Sequence, residues 1–131
     1  MKNIPVLKLG PVLFLTVPEN MNDAMAQSLE EDVLYQLEAT RAEAVVIDIT
    51  SLEIIDSFMA RVISETAQTT RIMDARIVIV GMSPVATITL LELGLEMSDI
   101  ETAMDLETGL QRLGYHLQAF ENKTLDVEEV S

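Results

Sequence analysis

The stretch "IIDSF" at residues 54–58 sets Asp56 and Ser57 side by side between an apolar run and the first turn of an expected helix. A serine there can act as a nucleophile, a phosphate acceptor or a helix cap. A nucleophile needs a base within hydrogen-bond reach. The neighbourhood supplies only carboxylates, Asp56 and Asp48, and no G-x-S-x-G elbow. As a cap, either Asp56 or Ser57 accepts a hydrogen bond from the first free N–H groups of the helix, worth about 0.5–2 kcal/mol.

A phosphate at a helix start is favoured by the unsatisfied amides and the helix dipole, by roughly 0.3–2 kcal/mol. Asp56 opposes it. At ~6 Å a dianion and a carboxylate repel by roughly 1.4 kcal/mol in water and about 5 kcal/mol at an effective dielectric of 20. On an exposed surface the two effects nearly cancel, so phosphorylation leaves the fold intact. A docked partner lowers the local dielectric and makes the unpaired dianion expensive, and ~1.4 kcal/mol already weakens binding tenfold.

Other site chemistry is largely excluded. The chain has no cysteine, which removes disulfides, thiol catalysis and thiolate metal sites, and its single histidine, His116, cannot build a zinc site alone. His116 follows a helix stop and reads as a surface residue. Neither G-x-x-x-x-G-K-[ST] nor G-x-G-x-x-G is present. The carboxylates of the first helix have no histidine company and read as a solvated face, so no metal or other cofactor is expected.

The elements that must position Ser57 follow from periodicity. Residues 4–9 and 12–17 read as two strands joined at Gly10 and Pro11. Met25, Leu29, Val33 and Leu37 recur every fourth residue, predicting an amphipathic helix over about Asn22 to Arg41. "AVVIDI" and "RIVIV" are near-continuous apolar runs, as in strands buried on both faces. Between them a helix from the Asp56–Ser57 pair to about Met73 places Phe58 with Val62 and Met59 with Ile63, while Arg61, Glu65 and Gln68 face solvent. Ser83 and Pro84 start a third helix that stops at Gly94. A short strand around Glu101 to Met104 precedes a last helix capped by Asp105 and ended by Gly114. This order predicts an α/β domain with a mixed, mostly parallel sheet and four helices.

With 131 residues the chain is the size of one compact domain, and its 49% hydrophobic but 4% aromatic composition calls for an aliphatic core. A formal charge of −14 repels nucleic acid and anionic membranes. It keeps a small domain soluble and can steer it toward basic protein surfaces. The N-terminal "MKNIPVLKLGPVLFL" is interrupted by Pro5, Lys8, Gly10 and Pro11, so neither a signal peptide nor a membrane span is expected there, and a cytoplasmic location is. From Glu121 the sequence is acidic and weakly apolar, as in a frayed or disordered tail.

"VVIDITSLEIIDSFMARVI", "RIVIVGMSP" and "LLELGLEM" together closely resemble the STAS domain shared by anti-sigma-factor antagonists, and within it the RsbS-type subunit of the bacterial stressosome. The resemblance extends to about Leu113. It implies a single STAS domain over residues 1–114 followed by an acidic tail over 115–131. It also implies that Ser57 is phosphorylated by an RsbT-type serine kinase, with Asp56 as the acidic neighbour of the phosphoacceptor. In that scheme the unmodified protein is no enzyme. It co-assembles with RsbR-type STAS sensor subunits in a large hetero-oligomer and holds the kinase; phosphorylation releases the kinase, and a PP2C-type phosphatase resets the system.

Phe58 and Met59 are expected to anchor the helix or border the kinase-docking surface. They replace the serine and glycine that follow the phosphoacceptor in the sporulation-type antagonist, which argues against direct binding of an anti-sigma factor. The long N-terminal sensor region of RsbR-type subunits is also missing, so sensing is expected to lie elsewhere. Thr89, or else Thr87, falls near the place of a second phosphoacceptor in the third helix of the sensors; the alternative for both is an ordinary helix position. A simple anti-anti-sigma factor and a small-ligand or nucleotide-binding STAS module remain the competing readings, the latter testable by saturable thermal stabilisation with GTP or ATP.

Overall fold

The computed structural model describes residues 4–93, 100–115 and 127–130. Strands β1 (Leu7–Leu9) and β2 (Val12–Thr16) form a hairpin, followed by α1 (Asp23–Thr40), β3 (Ala44–Asp48), α2 (Ser57–Ile72), β4 (Arg76–Val80), α3 (Pro84–Glu92), β5 (Glu101–Ala103), α4 (Leu106–Arg112) and β6 (Val127–Glu129). The sheet runs in the order β5-β4-β3-β2-β1-β6. β2 to β5 are parallel, and β1 is antiparallel to both β2 and β6. Gly10, with φ 56°, is the first of the two residues that turn the hairpin, a conformation only glycine takes without strain.

The continuous apolar runs are explained by cover on both faces. Leu13, Leu15, Val45, Ile47, Ile77 and Ile79 point into the larger core beneath α1, α2 and α3. The alternate residues Val12, Val46, Val78 and Val80 meet Leu110 and Leu113 of the α4 region. The bulkier Leu and Ile side chains lie on the side covered by α1, α2 and α3, and the smaller Val and Ala on the side covered by one short helix. That helix comes close: a Cβ on Gly109 would lie 3.0 Å from the Val80 side chain.

Two expectations change. The first strand is only Leu7–Leu9, although Ile4 and Val6 before it are buried. The acidic end is not wholly frayed, since Val127–Glu129 pairs with β1. Its physical basis is an otherwise open edge: β1 has a free row of backbone groups, the Val130 N–H donates to the Val6 carbonyl at 2.8 Å, and the buried Gln36 amide donates to the Val130 carbonyl at 2.8 Å. The expected stop at Gly94 and the surface reading of His116 fall outside the described residues.

Candidate phosphorylation site and docking face

The loops that leave the carboxyl ends of the parallel strands gather at one edge of the sheet, where open α/β sheets place their sites. Each feeds a capped helix: Asn22, Asp56, Ser83 and Asp105 each accept a hydrogen bond from the backbone N–H three residues on. The N–H of Thr108 holds the Asp105 carboxyl below the usual carboxylate range.

The loop between β3 and α2 carries the candidate site. Asp48 Oδ1 accepts from the Thr50 N–H at 2.8 Å and from the Thr50 hydroxyl at 2.5 Å, so this carboxylate turns back on its own loop. Ile49 donates to the Val80 carbonyl at 2.9 Å, and Leu52 and Ile55 are buried pegs. Ile54 between them is 78% exposed. The next loop packs against this one. Gly81 has φ 77°, and a Cβ there would fall 1.9 Å from Thr50 Oγ1. Ser83 Oγ, which caps α3, also lies 3.4 Å from the Glu53 carbonyl.

Asp56 is the cap of α2. Its backbone is extended, φ −83° and ψ 174°, and its Oδ1 accepts from the Met59 N–H at 2.7 Å. Ser57 is therefore the first helical residue, exposed, and its hydroxyl holds no hydrogen-bond partner among the described residues. Phe58 is half-buried against the larger core, with the Arg61 guanidinium 5.7 Å from its ring centroid. Met59 is only 7% exposed and belongs to that core, so it anchors the helix, while its edge also lines the groove beside Asp56. The burial follows from position: three residues past the cap, Met59 points under the helix while Ser57 points out.

An open groove of about 170 Å³ runs beside Asp56 and Phe58 and is also lined by Glu19, Asp23, Leu52 and Ile54. Three carboxylates around a partly apolar floor favour a basic side chain and repel a nucleotide polyphosphate. Periodicity puts Arg61 on the solvent side; the structure adds its contact with Phe58 one turn from Ser57, for which the i to i+3 spacing is the signal in the sequence.

Thr87 and Thr89 lie on α3. Both are half-buried and donate within the helix, to the Ser83 and Val85 carbonyls, each at 2.9 Å. Their hydroxyls are thus engaged where that of Ser57 is not. Among the described residues no group of three or more His, Cys, Asp or Glu could hold a metal ion, and no helix is long and apolar enough to cross a membrane.

Comparison with known proteins agrees with this architecture. A Moorella thermoacetica RsbS variant superposes with a TM-score of 0.80 at 28% identity, covering 86% of this chain and 96% of that one. A chain from a structure of the molecular architecture of the stressosome gives 0.77 at 31% identity, covering 84% of this chain and 96% of its own. Among curated proteins, the RsbT co-antagonist protein RsbRA of Bacillus subtilis (strain 168) is 28% identical over 86 residues, 66% of this chain and 31% of the relative. The chain thus spans about a third of that relative's length. The family model for the STAS domain matches residues 3–109, and the chain belongs to the STAS domain family.

Proposed function

We propose that this STAS domain is a non-enzymatic scaffold and phosphorylation switch of a stressosome-type assembly. Its Ser57 face holds an RsbT-type serine kinase until Ser57 is phosphorylated. RsbR-type subunits are its assembly partners, and a PP2C-type phosphatase restores the unmodified state. The likeness to RsbS, to a stressosome chain and to a protein named as an RsbT co-antagonist supports this choice among STAS functions.

The observation that carries the reading is the division of labour at the start of α2. Asp56 caps the helix, and the adjacent Ser57 hydroxyl is exposed and unengaged. Phosphate can therefore be added without removing a structural hydrogen bond. The acidic groove next to it suits a basic docking surface, which a new dianion would affect through the same local field.

The test is phosphoryl transfer from radiolabelled ATP by a switch kinase encoded in the same genome, on wild type and Ser57→Ala, followed by kinase pull-down in each phospho-state. Label on wild type alone, with loss of the kinase from the phosphorylated form, is the expected result. Equal labelling of both proteins, or of neither, overturns it.

A further inference from the structure

The sheet edge covered by residues 127–130 is a slot shaped for an extended segment. Along β1 the pairing partners are Leu7 with Glu129, Lys8 with Glu128 and Leu9 with Val127. The Val130 N–H donates to the Val6 carbonyl at 2.8 Å, and the alternation of an antiparallel ladder then turns the Glu128 N–H toward Lys8. Helix α1 supplies the wall. Gln36, only 7% exposed, sends its Nε2 to the Val130 carbonyl at 2.8 Å, across 94 positions of the chain. Val130 itself packs against the larger core. The slot thus offers an incoming strand ladder hydrogen bonds, a buried amide donor and an apolar seat. Its present occupant is held lightly, because β6 is three residues long and pairs on one side only. When β6 lifts, the Gln36 amide stays buried without this acceptor and the outer backbone groups of β1 are bare, so an empty slot is costly and is refilled.

We infer that the β1 edge is a strand-acceptor site and that it takes residues 127–130 of another copy of this chain in exchange for its own. The occupant is selected by fit. Among the described residues, the segment that matches the ladder, the Gln36 amide and the Val130 seat is this one, and every copy carries it. Exchange keeps each of these contacts and needs no new interface, so only the freedom lost on association opposes it. That cost shrinks as the protein is concentrated, and exchange grows with concentration accordingly.

Because the chain has no cysteine, Leu7→Cys and Glu129→Cys report exchange directly. The two positions face each other in the ladder as a non-hydrogen-bonded pair, where α-carbons lie about 4.5 Å apart and a disulfide can close. The two single variants of the full chain are mixed at ~100 µM and oxidised with diamide. A disulfide-linked pair holding one chain of each kind is expected, in at least tenfold excess over the pairs that either variant forms alone. Adding Gln36→Leu to the Leu7→Cys chain should lower that yield severalfold. A second readout serves if a cysteine variant fails to fold. Glu128→Pro in the full chain withdraws the ladder N–H and frees the slot, and a fluorescein-labelled peptide of residues 124–131 should then bind at least tenfold more tightly than to wild type, whose own segment competes. A mixed pair no more abundant than the homotypic ones, a yield indifferent to Gln36→Leu, or equal peptide binding by Glu128→Pro and wild type each overturns the proposal. None of these measurements involves Ser57 or a kinase, so they stand or fall apart from the switch.

Discussion

At the level of single residues, the start of α2 separates two tasks that one residue often combines. Asp56 alone holds the helix, so Asp56→Ala is expected to cost about 1 kcal/mol and a few degrees of Tm. Ser57→Ala should change stability by less than about 0.5 kcal/mol, as exposed sites without special contacts do. Thermal denaturation of both variants checks this, and an equal loss from Ser57→Ala would reassign the cap. If Ser57 carries phosphate as proposed, Arg61, held over Phe58 one turn beyond Ser57, would supply positive charge that partly offsets Asp56. Phosphorylated Arg61→Gln should therefore melt below phosphorylated wild type by more than the two unmodified proteins differ. Raising the salt concentration should close that gap, because screening weakens both interactions.

Among elements, the loops at the carboxyl edge are locked to each other, and the lock has a specific weak point. Gly81 combines a left-handed φ with a backbone approach that leaves no room for a methyl group beside Thr50. Gly81→Ala is expected to lower stability by roughly 2 kcal/mol or more, and adding Thr50→Ala should restore part of it. Urea unfolding of the single and double variants measures the coupling, and strict additivity would show that the contact is immaterial. The four helix starts were legible in the sequence because Asn22, Asp56, Ser83 and Asp105 are strong local signals. The buried strands were legible because β-branched runs need cover on both faces. The choice between Asp56 and Ser57 as cap was not, since either side chain can reach the same amides. Nor was the burial of Met59, because period alone gave Phe58 and Met59 each a plausible stripe and only the position of the sheet decides between them. The Gly81–Thr50 contact and β6 depend on segments far apart in the chain, and the acidic residues around Val127 resemble a solvated tail until β1 offers an edge.

For the whole molecule, the dominant fact is excess negative charge, and part of it is held under strain between α1 and α2. Burial, followed by the charge of Glu65, raises the pKa of Glu30 above its ordinary 4.5. A raised folded value means that Glu30 adds stability when protonated. That contribution is full below pH 4.5 and is lost as pH rises through the folded value. Glu30→Gln, which stays neutral, should therefore raise Tm by roughly 1–2 °C at neutral pH, since partial exposure tempers the effect. The advantage over wild type should vanish below pH 4.5, and melting curves across that range decide it. The pairing of β6 with β1 bears on how the chain is made. It joins the first described strand to the last, so it has the greatest separation along the chain of any contact in the sheet. During synthesis the parallel strands can assemble while the outer edge of β1 waits, open to any passing strand, for a segment the ribosome has yet to deliver. The sheet is closed on that side by the last of the described strands, and nascent chains halted before Val127 would be the ones most exposed to mispairing.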